Sequence, residues 1–203
     1  MNRRVLLNGL ALGGALALSN PLRSLAQSAQ ASETGPSVAY AGIAYLTNFA
    51  DIERALPYAS KLLNAPEAKD LDRELFARAT SRPQPFTLSG DLGTLKPGQS
   101  APVLALALDH ELTDVERLGG QYKLSVTLWG QVMVFDYGSM SVISSTPLIC
   151  HYVDLLNRPA EPSDIERAYG RLIHQDDPSG LKQSFVDAVG KTSCQNRAAA
   201  VCA

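Results

Sequence analysis

From Pro102 to Asp154 the chain carries its strongest pattern of apolar and polar positions. The runs Val103–Leu118, Gln121–Asp136 and Ser141–Asp154 are rich in β-branched and other apolar residues, and Gly119-Gly120 and Tyr137-Gly138-Ser139 separate them. This spacing predicts three consecutive strands joined by tight turns, an antiparallel meander. In the first run Leu104, Leu106 and Leu108 share one face and Val103, Ala105 and Ala107 the other, until polarity takes over at Asp109-His110-Glu111. In the second, Tyr122, Leu124, Val126 and Leu128 alternate with Gln121, Lys123, Ser125 and Thr127, which is the pattern of a strand buried on one face. Beyond Gly130 both faces turn apolar. A strand of this length would extend roughly 55 Å, well beyond the ordinary range, so a bulge or bend is predicted, with Gly130 as its place. Pro147 in the third run lacks an N–H for the ladder, which makes that strand an edge strand or marks a bulge.

The flanking segments read as helices with one further strand. Val38–Leu46 is apolar throughout and predicts a buried strand, central in its sheet. Asp51–Leu63 has helical spacing at Ile52, Leu56, Ala59 and Leu63, and Pro57 must break or kink it. Pro66 can open a second helix to about Ala79, with Leu71, Leu75 and Phe76 as its apolar stripe. Phe86–Ser100 is a long loop with a short strand at Phe86–Leu88. Ser163-Asp164-Ile165-Glu166 matches a capping box and predicts a helix to about His174, which would favour the dipole at its C-terminus. Leu181–Val189 forms the last helix, with Leu181, Phe185 and Val189 on one side. The order is β-α-α-β-β-β-α-α. It predicts an α+β fold: a mainly antiparallel sheet of about four strands, with a three-strand meander over about 103–154 and helices packed mainly on one face.

The first 26 residues change the charge balance. They hold Arg3, Arg4 and Arg23 and no acid, so the remainder carries 15 cations against 20 acids, a net charge of −5. A mildly acidic domain without a basic run is a poor nucleic-acid binder. Val5–Leu18 is apolar but too short to span a bilayer. Ser24-Leu25-Ala26 and Ala29-Gln30-Ala31 offer small-residue cleavage points, so residues 1–26 or 1–31 read as a signal peptide. Residues 32–203 then form a single globular domain, with a lead-in to about 37 and a tail from about 190. Asn2-Arg3-Arg4-Val5-Leu6-Leu7-Asn8 resembles a twin-arginine export signal, with Arg23 just before the cleavage region. Asn2, Leu6 and Asn8 depart from the usual residues of such signals. The resemblance implies a periplasmic or secreted protein that folds before export, with no stable membrane span once the signal is removed.

Candidate chemistry is sparse. Asp109 and Glu111 would share one face of a strand, where two carboxylates could hold a hard cation or do acid–base work, with His110 pointing away. The alternative is polar residues where a strand leaves the core. His151 and Asp154 end the third strand, and Asp136 ends the second, so Asp136 and His151 fall at opposite ends of their hairpin and cannot pair. His151 and Asp154 join Asp109 and Glu111 at one rim only if the second strand does not shield the first from the third. Trp129, Phe135 and Tyr137 share a parity and are either core or an exposed aromatic patch. No nucleophile elbow, zincin, P-loop or dinucleotide motif occurs, and no cofactor is implied. Among Cys150, Cys194 and Cys202, the simplest bridge is Cys194–Cys202, which closes a small C-terminal loop; the alternative pairs Cys150 with the tail and staples the tail onto the sheet.

The body of the chain resembles no characterised family, apart from a general likeness of its strand order to domains of periplasmic assembly proteins such as the curli-secretion lipoprotein. The pattern points first to an exported, non-enzymatic binding or envelope-assembly module, with its partner at the edge strand 141–154. The alternative is an exported hydrolase or metal-dependent enzyme using Asp109, Glu111, His151 and Asp154 at one rim of the meander. A third reading uses the Phe86–Ser100 loop as a lid over a small ligand.

Overall fold

The computed structural model describes residues 36–192 except 91 and 97. The leader with Arg3 and Arg4, and the tail with Cys194 and Cys202, lie outside the described residues. Five strands form one sheet in the order β2-β1-β3-β4-β5: β1 Ser37–Tyr45, β2 Thr87–Ser89, β3 Pro102–Leu118, β4 Gln121–Asp136 and β5 Ser141–Leu156. The meander is antiparallel as its pattern requires. The sheet as a whole is mixed, however, because β1 runs parallel to both of its neighbours. The helical connection after β1 is long enough for a parallel crossover. It returns the chain through β2, which falls one residue beyond the short strand expected at Phe86–Leu88. β1 is interior to the sheet, in keeping with its lack of a polar face, and β5 is an edge.

The helices are α1 Ile52–Ala55, α2 Ala59–Asn64, α3 Leu71–Thr80, α4 Pro162–His174 and α5 Leu181–Lys191. Pro57 breaks the first helical stretch. The residue before it, Leu56, adopts φ −136° and ψ 56°, so α1 stops and α2 starts afresh. Pro66 opens a 3-10 turn that runs into α3. α4 begins one residue before the expected cap, at Pro162, because Asp164 rather than Glu166 supplies the capping carboxylate. Asp164 Oδ2 accepts from the Glu161 N–H at 3.0 Å and from Arg158 at 2.6 Å. Among the described residues, no helix is long and apolar enough to cross a membrane.

The core lies between the helices and one face of the sheet. Leu104, Leu106 and Leu108 of β3 join Leu124, Val126, Leu128, Val132 and Val134 of β4 and Leu148 and Cys150 of β5. Leu75, Tyr169, Leu172, Ile173, Leu181, Phe185 and Val189 close over them from α3, α4 and α5. Three register shifts interrupt the sheet, one between β1 and β3, one between β3 and β4, and one between β4 and β5, where Ile143 lies unpaired. In β1, Ala41 and Gly42 face a single residue of β3, and Gly42 has φ +86°, a conformation glycine adopts without strain. The Asp72 carboxylate of α3 accepts the Ile43 N–H beside it at 3.1 Å. Between β3 and β4, the extra residue is not Gly130 but Asp109 on β3, which lies unpaired between Leu108, opposite Gly130, and His110, opposite Trp129.

Candidate functional site

The bulge at Asp109 resets the alternation of β3. Before it Leu104, Leu106 and Leu108 face the helices; after it Glu111 and Thr113 do, opposite Leu128 and Val126 of the core. Leu112, which uniform alternation would bury, is therefore 55% exposed on the other face. Among the described residues, the helices that build the core lie on the inner face, and the rows of this outer face can be read from the register. His110, Trp129 and Ile149 line up across β3, β4 and β5, followed by Leu112, Thr127 and His151, then Asp114, Ser125 and Val153, then Glu116, Lys123 and Leu155. Ile149 is 60% exposed and Leu155 56%, and Val153 is also exposed. The apolar side chains of this face are not scattered singly but lie in neighbouring rows, with polar groups between them.

The polar members of this face hold one another. The His110 ring stacks on Trp129, with centroids 4.5 Å apart and planes at 12°, while its Nδ1 lies 3.0 Å from Asp109 Oδ2. The Thr127 hydroxyl lies 2.9 Å from His151 Nδ1, and Lys123 donates to Glu116 at 2.9 Å. Of the three aromatic residues of shared parity, Trp129 stands half-buried on this face, as does Phe135 toward the other end of β4, and Tyr137 is half-buried in the turn. Trp129 is the single tryptophan of the chain, so its emission reports the stack. His110→Ala is expected to uncover the indole and shift the Trp129 emission to longer wavelength, and His151→Ala to leave it in place; unchanged emission in His110→Ala would mean that the stack does not form in solution.

The four candidate rim residues are not brought together, because β4 lies between the strands that carry them. Asp109 and His151 belong to the outer side on β3 and β5. Glu111 points to the helical side, where its carboxylate accepts the backbone N–H groups of Tyr58 at 2.7 Å and Ala59 at 2.8 Å. Burial raises its pKa, and the two donors offset this only in part. Asp154 lies opposite the buried Leu124 and accepts the Leu155 N–H at 2.9 Å. Asp136 and His151 sit at opposite ends of their hairpin, opposite Ser141 and Thr127 respectively. Bonds from Ser139 and Ser100 pull the Asp136 carboxyl down to about 2. Among the described residues, no three His, Cys, Asp or Glu side chains group as metal ligands.

Cys150 is buried beneath α5, and burial pushes its thiol up to about 11. A thiolate, not a thiol, is the nucleophile. In a Cys194→Ser/Cys202→Ser background, Cys150 is therefore expected to react with a thiol reagent at neutral pH only as fast as the protein opens; reaction at the rate of a free thiol would contradict this placement.

The outer margin of β5 is already partly occupied. The His151 N–H donates to the Ser179 carbonyl in the α4–α5 connection at 3.2 Å, so it points away from β4. The register from Ser144 to Leu156 is unbroken, and N–H groups of alternate residues therefore point the same way. Pro147 falls in that series, where its missing N–H removes no ladder bond, and the Leu155 N–H in the same series is taken by Asp154. The edge predicted from Pro147 is real, but it is blunted in the way natural edges are. The arrangement of the outer face was invisible in the sequence, because one unpaired residue at Asp109 decides which of Glu111 and Leu112 is buried.

No protein-family model matches the chain, and no curated protein matches it. Among solved structures, a hypothetical protein from Chlamydia trachomatis is 16% identical, with 78% of this chain and 92% of that one covered and a TM-score of 0.40. A minor lipoprotein from Acinetobacter baumannii is 14% identical, with 76% and 90% covered and a TM-score of 0.37. A homologue of neuraminyllactose-binding hemagglutinin from Helicobacter pylori is 12% identical, with 78% and 87% covered and a TM-score of 0.41.

Proposed function

We propose that the protein is an exported, non-enzymatic binding module of the bacterial envelope, and that it docks another protein on the outer face of the meander, along the margin formed by β5. The observation that carries this is the array of exposed Leu112, Ile149, Val153 and Leu155 around the half-buried Trp129, on the face opposite the helical core. Small molecules are held in concave sites that enclose them. A strip of sheet with aliphatic residues, one tryptophan and interleaved polar groups instead has the composition of a protein interface. The leader pattern with Arg3 and Arg4 supports export to the periplasm.

Photocrosslinking in cells tests the reading. A photoreactive residue at Ile149 or Leu155 is expected to yield an adduct with one partner protein, identifiable by mass spectrometry. The same residue at Arg73, 82% exposed in its side chain on α3, should not. No adduct from the sheet positions, or the same adducts from Arg73, would overturn the assignment.

A further inference from the structure

The register of the meander identifies a second sheet margin, and this one is open. The His151 N–H points away from β4, so its partner across the ladder, Thr127, turns its own N–H and carbonyl toward β3. Leu112, opposite Thr127, is then bonded to β4, and the flanking Glu111, Thr113, Val115 and Arg117 direct their N–H and carbonyl groups away from it. The same conclusion follows from the other side of the bulge: the Leu108 carbonyl, facing away from β4, accepts the Leu46 N–H at 2.8 Å. β1 covers this margin only as far as Leu108, where its pairing ends at Tyr45. Beyond the bulge β3 is itself an edge strand. Among the described residues nothing bonds to the backbone N–H groups of Thr113, Val115 and Arg117, and every residue from Asp114 to Gly120 is exposed. Unlike β5, this margin carries no proline, and among the described residues no strand pairs with it.

The side chains along this margin specify what would fit it. Asp114 and Glu116 project on the outer face in successive rows, between the exposed Leu112 and Leu118. Over residues 109–123 the four carboxylates Asp109, Glu111, Asp114 and Glu116 outnumber the two cations Arg117 and Lys123; Glu111 is turned to the helices, and Lys123 already pairs with Glu116. The geometry points to edge addition: an extended segment of a partner protein, with Lys or Arg alternating with aliphatic residues, adds to β3 at Thr113–Arg117 as a sixth strand. Its backbone would take up the outward N–H and carbonyl groups, its cations would face Asp114 and Glu116, and its aliphatic residues would cover Val115 on the helical side. This rests on the reading of the protein as a binding module and names the chemistry of its partner.

The test uses the folded mature protein and a short fluorescent peptide that alternates Lys and Val, with a Glu–Val peptide as its counterpart. The Lys–Val peptide is expected to bind, and the Glu–Val peptide to bind at least roughly tenfold more weakly. Raised salt should weaken the interaction, since exposed charges are screened. Val115→Pro removes an outward N–H but no bond to β4, so it should abolish peptide binding while melting remains cooperative. Asp114→Lys provides a second arm that leaves the backbone untouched, and should reverse the preference between the two peptides. Equal binding of both peptides, or unchanged binding by Val115→Pro, would overturn the proposal. So would a concentration-dependent dimer that Val115→Pro abolishes, because the edge would then belong to a second copy of the chain. If these arms fail while Ile149 still crosslinks to a partner, edge addition falls and the docking face stands; failure of both removes the binding reading itself.

Discussion

Replacing Gly130 with alanine is expected to destabilise the fold by about 1–3 kcal/mol, the usual range for forcing extra volume into a packed site. A Cβ at this position would stand 2.8 Å from the Ala107 carbonyl oxygen and 3.2 Å from Leu108 Cδ2. The first of these is backbone, and it has little room to move. β3 is held between β1 and β4 here, and the neighbouring Leu108 carbonyl is fixed by the Leu46 N–H. For a domain of this size each kcal/mol lowers the melting midpoint by roughly 2–4 °C. Gly120→Ala in the β3–β4 turn is the control, since no atom lies within 4 Å of its Cβ position, and it should stay within about 0.5 kcal/mol of the parent. The two variants separate strand crowding from the general effect of losing a glycine. Gly130→Ala has a second readout, because Gly130 is adjacent to Trp129 at the level of the Asp109 bulge. Pushing β3 and β4 apart there should disturb the His110–Trp129 stack and shift the tryptophan emission. A variant as stable as Gly120→Ala, with unchanged emission, would mean that the strands do not approach this closely.

How far the sequence could be read follows from the range of the interactions involved. The meander, the break at Pro57, the α3 stripe and the inward faces of α4 and α5 all rest on local periodicity and backbone chemistry, and each falls where its residues put it. Leu124, Val126 and Leu128 are buried and Leu181, Phe185 and Val189 line the core. The parallel pairing of β1 was not legible, because it depends on where a long connection returns the chain, and β2, which completes that side of the sheet, is three residues long. The pattern puts the bulge at the right level of β4 but on the wrong strand. Gly130 is what permits the close approach, and Asp109 is the residue squeezed out of register. That one-residue difference decides the candidate site. It turns Glu111 toward the helices and Leu112 outward, separates the carboxylates that a regular strand would have placed on one face, and builds the row of His110, Trp129 and Ile149. Side-chain period is two in a strand, so a single unpaired residue inverts everything beyond it, and neither composition nor spacing records which strand carries it.

Glu111→Ala is expected to lower stability by about 2–3 kcal/mol, because hydrogen bonds to a charged group contribute roughly 1.5–3 kcal/mol each and the donors left behind are partly buried. Those donors, the N–H groups of Tyr58 and Ala59, belong to the first turn of α2 and have no partner within the helix. They exist because Pro57 ends α1 and forces a second helix to begin, so Glu111 satisfies a need that the proline creates. The contact also ties two helices to β3. The Tyr58 ring stacks on Tyr169 of α4 with centroids 5.5 Å apart, and the Tyr169 hydroxyl donates to the Leu112 carbonyl at 3.0 Å. Glu111→Gln keeps one acceptor oxygen for two donors and should lose about half as much as Glu111→Ala. The pH dependence gives an independent check. The folded pKa of Glu111 is raised by burial, so the native state holds this proton more tightly than the unfolded chain. Its contribution to stability therefore increases as pH falls through the raised value toward the ordinary glutamate value of about 4.3, and Glu111→Gln removes that increase. Asp136 and Asp164 behave in the opposite sense. Both are held near 2, by bonds from Ser139 and Ser100 and from Arg158 respectively, so the stability they supply is complete above about 3.9 and is lost as pH falls toward 2. Denaturant titrations at stepped pH should show the parent gaining on Glu111→Gln as the pH falls through the raised value, before both decline together in stronger acid. Parallel curves for parent and Glu111→Gln would mean that the carboxylate is not buried against α2, and the orientation of β3 beyond the bulge would have to be redrawn.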